Sequence, residues 1–103
     1  MVYVKKITVD NYSDFLEMAL NQKFTMAQGI VETVLENLNT RKKQIPVFEI
    51  EVDSEGATYT LSVERDEFIQ ILKTNLIHFE NGEAYEGCQK IIEAINYLKT
   101  KNG

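Results

Sequence analysis

Residues 46–67 read PVFEIEVDSEGATYTLSVERDE, and the alternation on either side of Asp53-Ser54-Glu55-Gly56 is that of two half-buried strands joined by a turn. Phe48, Ile50 and Val52 point one way, and Glu49, Glu51 and Asp53 the other. The returning strand puts Ala57, Tyr59, Leu61 and Val63 on the first face, and Thr58, Thr60, Ser62 and Glu64 on the second. Opposed residues on paired strands share a face, so the two patterns agree when Val52 faces Ala57, Ile50 faces Tyr59 and Phe48 faces Leu61. A four-residue loop results, in which Gly56 supplies a positive φ.

The polar face of this hairpin is acidic out of proportion to the rest of the chain. Between Glu49 and Glu67 stand seven acids and one base, Arg65, a net of −6 against −5 for the whole protein. Everything outside the stretch therefore sums to +1.

Outward from the hairpin, the pattern changes to helical. Upstream, residues 2–9 read as a strand in which Val2, Val4, Ile7 and Val9 recur at two-residue spacing, with a parity slip at Lys5-Lys6 that a bulge or partial pairing would absorb. Ser13 and Asp14 offer helix-starting chemistry to a short helix ending near Gln22, with Phe15, Leu16, Ala19 and Leu20 on one side. Thr25 and Gln28 fit a capping box for a helix over 26–39, whose stripe is Ala27, Ile30, Val31, Val34, Leu35 and Leu38. Residues 39–44 are turn-like, and Pro46 falls at a strand's beginning or on an edge.

Downstream, Asp66 is placed to cap a helix with Phe68, Ile69, Leu72, Leu76 and Phe79 on its apolar side, stopping at Asn81-Gly82, where glycine can take a left-handed cap. A final helix over 83–99 buries Ala84, Cys88, Ile91, Ile92, Ile95 and Leu98, and Gly87 calls for a close approach by the helix before it. The short connection makes these two helices antiparallel neighbours. Over Tyr85 to Leu98 the chain resembles the second helix of UVR-type helical hairpins, a resemblance that implies protein contact.

The expected architecture is α+β: one domain over 1–103, in which a small antiparallel sheet of the central hairpin and an N-terminal strand packs against about four helices and ends in an antiparallel helical hairpin. Its inner face, Phe48, Ile50, Val52, Tyr59, Leu61 and Val63, should meet the helices, leaving the acids to water. At 103 residues and 44% hydrophobic content the chain suits a single domain that is neither disordered nor linker-rich. The opening lacks the apolar stretch of a signal peptide and no window reaches the length of a membrane span, so a cytoplasmic, membrane-free protein is expected.

Catalytic motifs are absent: no Gly-rich phosphate loop, HExxH, CxxC or nucleophile elbow occurs. Glu51, Asp53, Glu55 and Gly56 occupy early places of a calcium-loop pattern, but its last place, a bidentate glutamate, is Ser62 here, so no metal is expected. His78 and Cys88 could form a dyad across the last two helices, yet no third residue orients it, and Cys88 sits at a core phase. No cofactor is implied, and the protein reads as a non-enzyme. Net acidity argues against direct nucleic-acid binding, which needs a basic stripe.

What remains is the acidic strand face: Glu49, Glu51, Asp53, Glu55 and Glu64. Carboxylates two residues apart on a strand repel by only about 0.6 kcal/mol in water, so such a face can serve as a simple guard against edge aggregation. Alternatively it docks on a basic protein surface. In kind it resembles small inhibitors, phage-encoded antagonists of host defence among them, that imitate nucleic acid to occupy a binding groove. That reading makes the chain an interaction module, an inhibitor or adaptor. A small-ligand or nucleotide sequestering protein, with a pocket between the helix pair and the sheet, is the alternative. The oligomeric state is open, because the sheet edge or the apolar patch of the first helix could pair two copies.

Overall fold

The computed structural model describes residues 5–102. Strand β1 (Lys5–Val9) leads into helices α1 (Tyr12–Asn21) and α2 (Lys23–Glu36), then strands β2 (Gln44–Val52) and β3 (Ala57–Glu64). A 3-10 turn over Arg65–Glu67 precedes helices α3 (Phe68–Asn81) and α4 (Tyr85–Asn102). The class is α+β as the pattern predicts, with the hairpin in the sheet and an α3–α4 pair closing the chain.

The sheet order is β1-β2-β3, and the hairpin register is the one its two alternations require: Val52 with Ala57, Ile50 with Tyr59, Phe48 with Leu61. Gly56 takes φ 61° in the connecting loop. The expected all-antiparallel sheet is corrected in one respect, because β1 lies parallel to β2 and the sheet is mixed. Two helices separate these strands, the kind of crossover that parallel neighbours need. No bulge interrupts the described part of β1. The bulge falls in β2 instead, between Pro46 and Phe48, so that the adjacent Val47 and Phe48 are both buried. Pro46 lies before the first residue of β2 that the described part of β1 pairs with, Phe48. Val2 and Val4 lie outside the described residues.

All helices sit on one side of the sheet, and α2 lies between the sheet and the α3–α4 pair. Its Met26 and Ile30 pack on the sheet core of Phe15, Val47, Phe48, Ile50 and Val52, while Ala27, Val31 and Val34 join the helical core of Phe68, Leu72, Ile91 and Leu98. Contact with the sheet is made possible by Gly29. A Cβ built there would stand 2.5 Å from Phe48 Cζ, so the ring occupies the space a side chain would fill. Beside it Thr33, buried, donates its hydroxyl to the Gly29 carbonyl at 2.9 Å and leaves no polar atom unsatisfied. Gly87 plays a similar part at the helix pair, where an added Cβ would meet the Phe79 ring at 2.5 Å, confirming the close approach read from the sequence.

Helix boundaries depart from the capping signals. Asn11, not Ser13 or Asp14, caps α1 by accepting the Asp14 N–H at 3.0 Å, and no Thr25 box forms because α2 starts two residues earlier, directly after the kink at Gln22. Asp66 falls inside the 3-10 turn, and no side chain caps α3. Gly82 keeps φ −87°, while the left-handed residue between α3 and α4 is Glu83 at φ 56°. Along α4, Ala94 is buried where Ile92 was expected, and Ile92 is exposed.

Replacing Gly29 with alanine should therefore lower unfolding free energy by about 1–3 kcal/mol, as overpacking does, although alanine is the better helix former by about 1 kcal/mol. Urea denaturation measures this, and a stabilised variant would mean that Phe48 has room to move.

Candidate functional site

The open face of the sheet carries Glu49, Glu51 and Glu64 of the sequence-predicted acids, while Asp53 and Glu55 lie in the hairpin loop. Glu51, Asp53, Glu55 and Glu64 are exposed and Glu49 is half-buried, and among the described residues no helix covers them. Among the described residues none of the five forms an ion pair. Thr8 of β1 donates to Glu51 Oε2 at 3.5 Å, and Lys6 stands opposite Glu49 in the parallel register, so one basic side chain borders the acidic row.

The five acids do not form one patch. Glu49 and Glu51 lie on the central strand, Asp53 and Glu55 in the loop at one end of the hairpin, and Glu64 at the other end of β3. Seven residue steps separate Ala57 from Glu64, about 23 Å of strand. Glu64 thus falls among Lys43, Gln44 and Asp66, beside a segment where Arg65 donates to the Arg41 carbonyl. A further acid joins the loop end instead. The Asp53 and Ser54 N–H groups donate to the carbonyls of Val9 and Asp10, at 3.0 and 2.8 Å, bringing exposed Asp10 beside the hairpin loop. Sequence reading missed Asp10 because its placement follows from the parallel pairing of β1, which leaves no local signal.

The inner face is only half covered. Phe48, Ile50 and Val52 are buried as expected and Val63 is half-buried, but Tyr59 and Leu61 keep 41% and 40% of their surface. The helices rest on β1 and β2, and β3 overhangs them. On α1 the predicted apolar side is likewise split, since Phe15 is buried while Leu16 is exposed and Leu20 is 69% exposed. Between α1 and β3 runs a groove of about 510 Å³ lined by Tyr12, Phe15, Ile50, Glu55, Tyr59 and Leu61, among others. The Tyr12 and Tyr59 rings meet edge-on with centroids 5.8 Å apart. Tyr59 donates its hydroxyl to Glu55 Oε1 at 2.8 Å. That hydrogen bond and the nearby carboxylate charge hold the phenol pKa above its ordinary value.

The cavity where the helix pair meets the hairpin base, lined by Phe68, Leu98 and Lys101, holds about 190 Å³. Small-molecule pockets begin at about 300 Å³, so the roomier concavity is the α1–β3 groove. His78 lines a separate shallow groove with Ala19, Lys23, Met26 and Asn75, whereas Cys88 is buried in the helical core. No hydrogen bond joins the two. Among the described residues no three His, Cys, Asp or Glu side chains gather as a metal site, and no helix is long and apolar enough to cross a membrane.

No protein-family model, no curated protein and no solved structure matches the chain. The UVR-type likeness of α4 accordingly carries no argument.

Because the raised Tyr59 pKa depends first on Glu55, Glu55→Gln should move the Tyr59 titration midpoint down toward an ordinary phenol. The folded state favours the protonated phenol, so the associated stability is complete below the unfolded pKa and is lost as pH rises through the folded one. Ultraviolet titration, with Tyr59→Phe to identify the residue's contribution, reads the shift; identical curves for wild type and Glu55→Gln would show that the bond is not formed in solution.

Proposed function

We propose that this chain is a non-enzymatic interaction module, an inhibitor or adaptor, that presents Glu49, Glu51, Asp53 and Glu55 to a basic, nucleic-acid-binding protein surface. The supporting observation is that Glu49 and Glu51 stand on β2, the strand already paired on both sides. Acids that guard a sheet edge belong on an edge strand, yet most of the strand acidity here sits at the centre. That placement favours the docking reading over the guard reading.

The face can supply attraction and orientation at modest internal cost. Exposed carboxylates about 7 Å apart repel weakly in water, and salt weakens the repulsion further. Against a basic groove the same charges raise the association rate and select the partner, and they lose effect as ionic strength rises. Lys6 beside Glu49 and the removal of Glu64 from the patch narrow the anionic area to the middle and loop end of the hairpin. Asp10 adds to that end. Threonines 58 and 60, level with Glu51 and Glu49, can supply hydrogen bonds around the charges.

The double variant Glu49→Lys with Glu51→Lys should unfold at the wild-type denaturant concentration, because both side chains lie on the uncovered face. It should also lose capture of nucleic-acid-binding proteins from extract at low salt, a capture that duplex DNA displaces from wild type. Equal recovery of the same proteins by wild type and variant would refute the role of this face.

A further inference from the structure

The two edges of the sheet are built differently. β1, one edge, carries Lys5 and Lys6 among its described residues. Those are ordinary safeguards against strand addition. β3, the other edge, is eight residues long, and from Ala57 to Val63 it contains no charge and no proline. The bulge of the hairpin is on β2, so β3 has no irregularity that would turn its edge away. Among the described residues it pairs only with β2, and none of its residues is buried. A row of backbone donors and acceptors is therefore left open next to the apolar groove of Tyr12, Tyr59 and Leu61.

From this geometry we infer that β3 is a self-association edge, and that the partner is β3 of a second copy, running antiparallel about Thr60. An open strand edge is satisfied by another strand, and a two-fold contact satisfies both edges at once. The segment is self-complementary under that operation. Thr60 faces its own counterpart, Thr58 faces Ser62, Tyr59 faces Leu61 and Ala57 faces Val63, so each face of the seam stays of one kind. On the inner face two Tyr59–Leu61 pairs bury side chains that the monomer leaves exposed, flanked by Tyr12 from each copy. The outer face brings together hydroxyl side chains.

Charge agrees with this arrangement. No ionised residue between positions 57 and 63 is opposed to another, and Glu64 falls level with Gly56 of the other strand. Glu49 and its counterpart are separated by three strand spacings, about 14 Å, beyond a physiological Debye length. At each end of the seam Glu64 comes within about two strand spacings of Glu55 of the other copy, and Arg65, level with that Glu55, offsets the repulsion. Each copy nevertheless carries −5, so salt should strengthen self-association. A basic partner on the acidic face responds to salt in the opposite direction, and the two contacts use different surfaces.

Sedimentation equilibrium of the full chain over a concentration series, at low and high salt, tests the proposal. Wild type should approach twice the 11.9 kDa chain mass, more readily at high salt. Thr60→Lys and Thr60→Glu place like charges face to face on an exposed site, and each should weaken self-association by at least about tenfold. An equimolar mixture of the two variants should restore the dimer. Hydrogen exchange should show concentration-dependent protection in residues 57–63 and none in β1. A wild type that stays monomeric throughout, a dimer unaffected by both substitutions, or a dimer in which the β3 amides remain unprotected would each overturn the proposal.

Discussion

The contact of Gly29 with the Phe48 ring is the constraint on which the arrangement of layers depends. α2 must touch the sheet on one side and the α3–α4 pair on the other, and the missing side chain at position 29 lets its backbone approach β2. With α2 seated there, one stripe of its residues closes the sheet core and the adjacent stripe closes the helical core. Thr33 fits the same crowded surface by turning its hydroxyl back onto the helix.

That seating also decides what is left uncovered. α1 and α2 rest over β1 and β2, so the apolar face is closed at Phe48, Ile50 and Val52 and open at Tyr59 and Leu61. Among the described residues no helix lies on the opposite face. Two surfaces of different chemistry result, an acidic row on the outer face of the central strand and an uncharged, partly apolar edge along β3. The first suits a partner of opposite charge, whose attraction is long-ranged and salt-sensitive. The second suits a strand, whose recognition is carried by backbone hydrogen bonds and alternate side chains. Tyr59 and Glu55 sit where the two surfaces meet, joined by a hydrogen bond.

Much of the local structure was legible in the chain because it depends on neighbours close in sequence. Residues 48–63 specify their own pairing, since a slip of one position would turn every side chain to the wrong face, and the observed register is the one that alternation demands. The stripes of α2 and α3 and the tight contact at Gly87 were readable for the same reason. Capping signals were less reliable. Asn11, rather than Ser13 or Asp14, completes α1, and the kink at Gln22 starts α2 ahead of Thr25.

By itself, then, the sequence determined the α+β class, the hairpin and its register, the two faces of that hairpin and the closing helix pair. Only the tertiary structure decided that β1 runs parallel to β2, that Asp10 joins the acidic loop while Glu64 stands apart, and that β3 overhangs the helices with Tyr59 and Leu61 exposed. The division has a physical cause. Periodicity states which side of an element is apolar, whereas coverage of that side depends on where distant elements come to rest, here on the few ångströms that Gly29 allows α2 to approach β2.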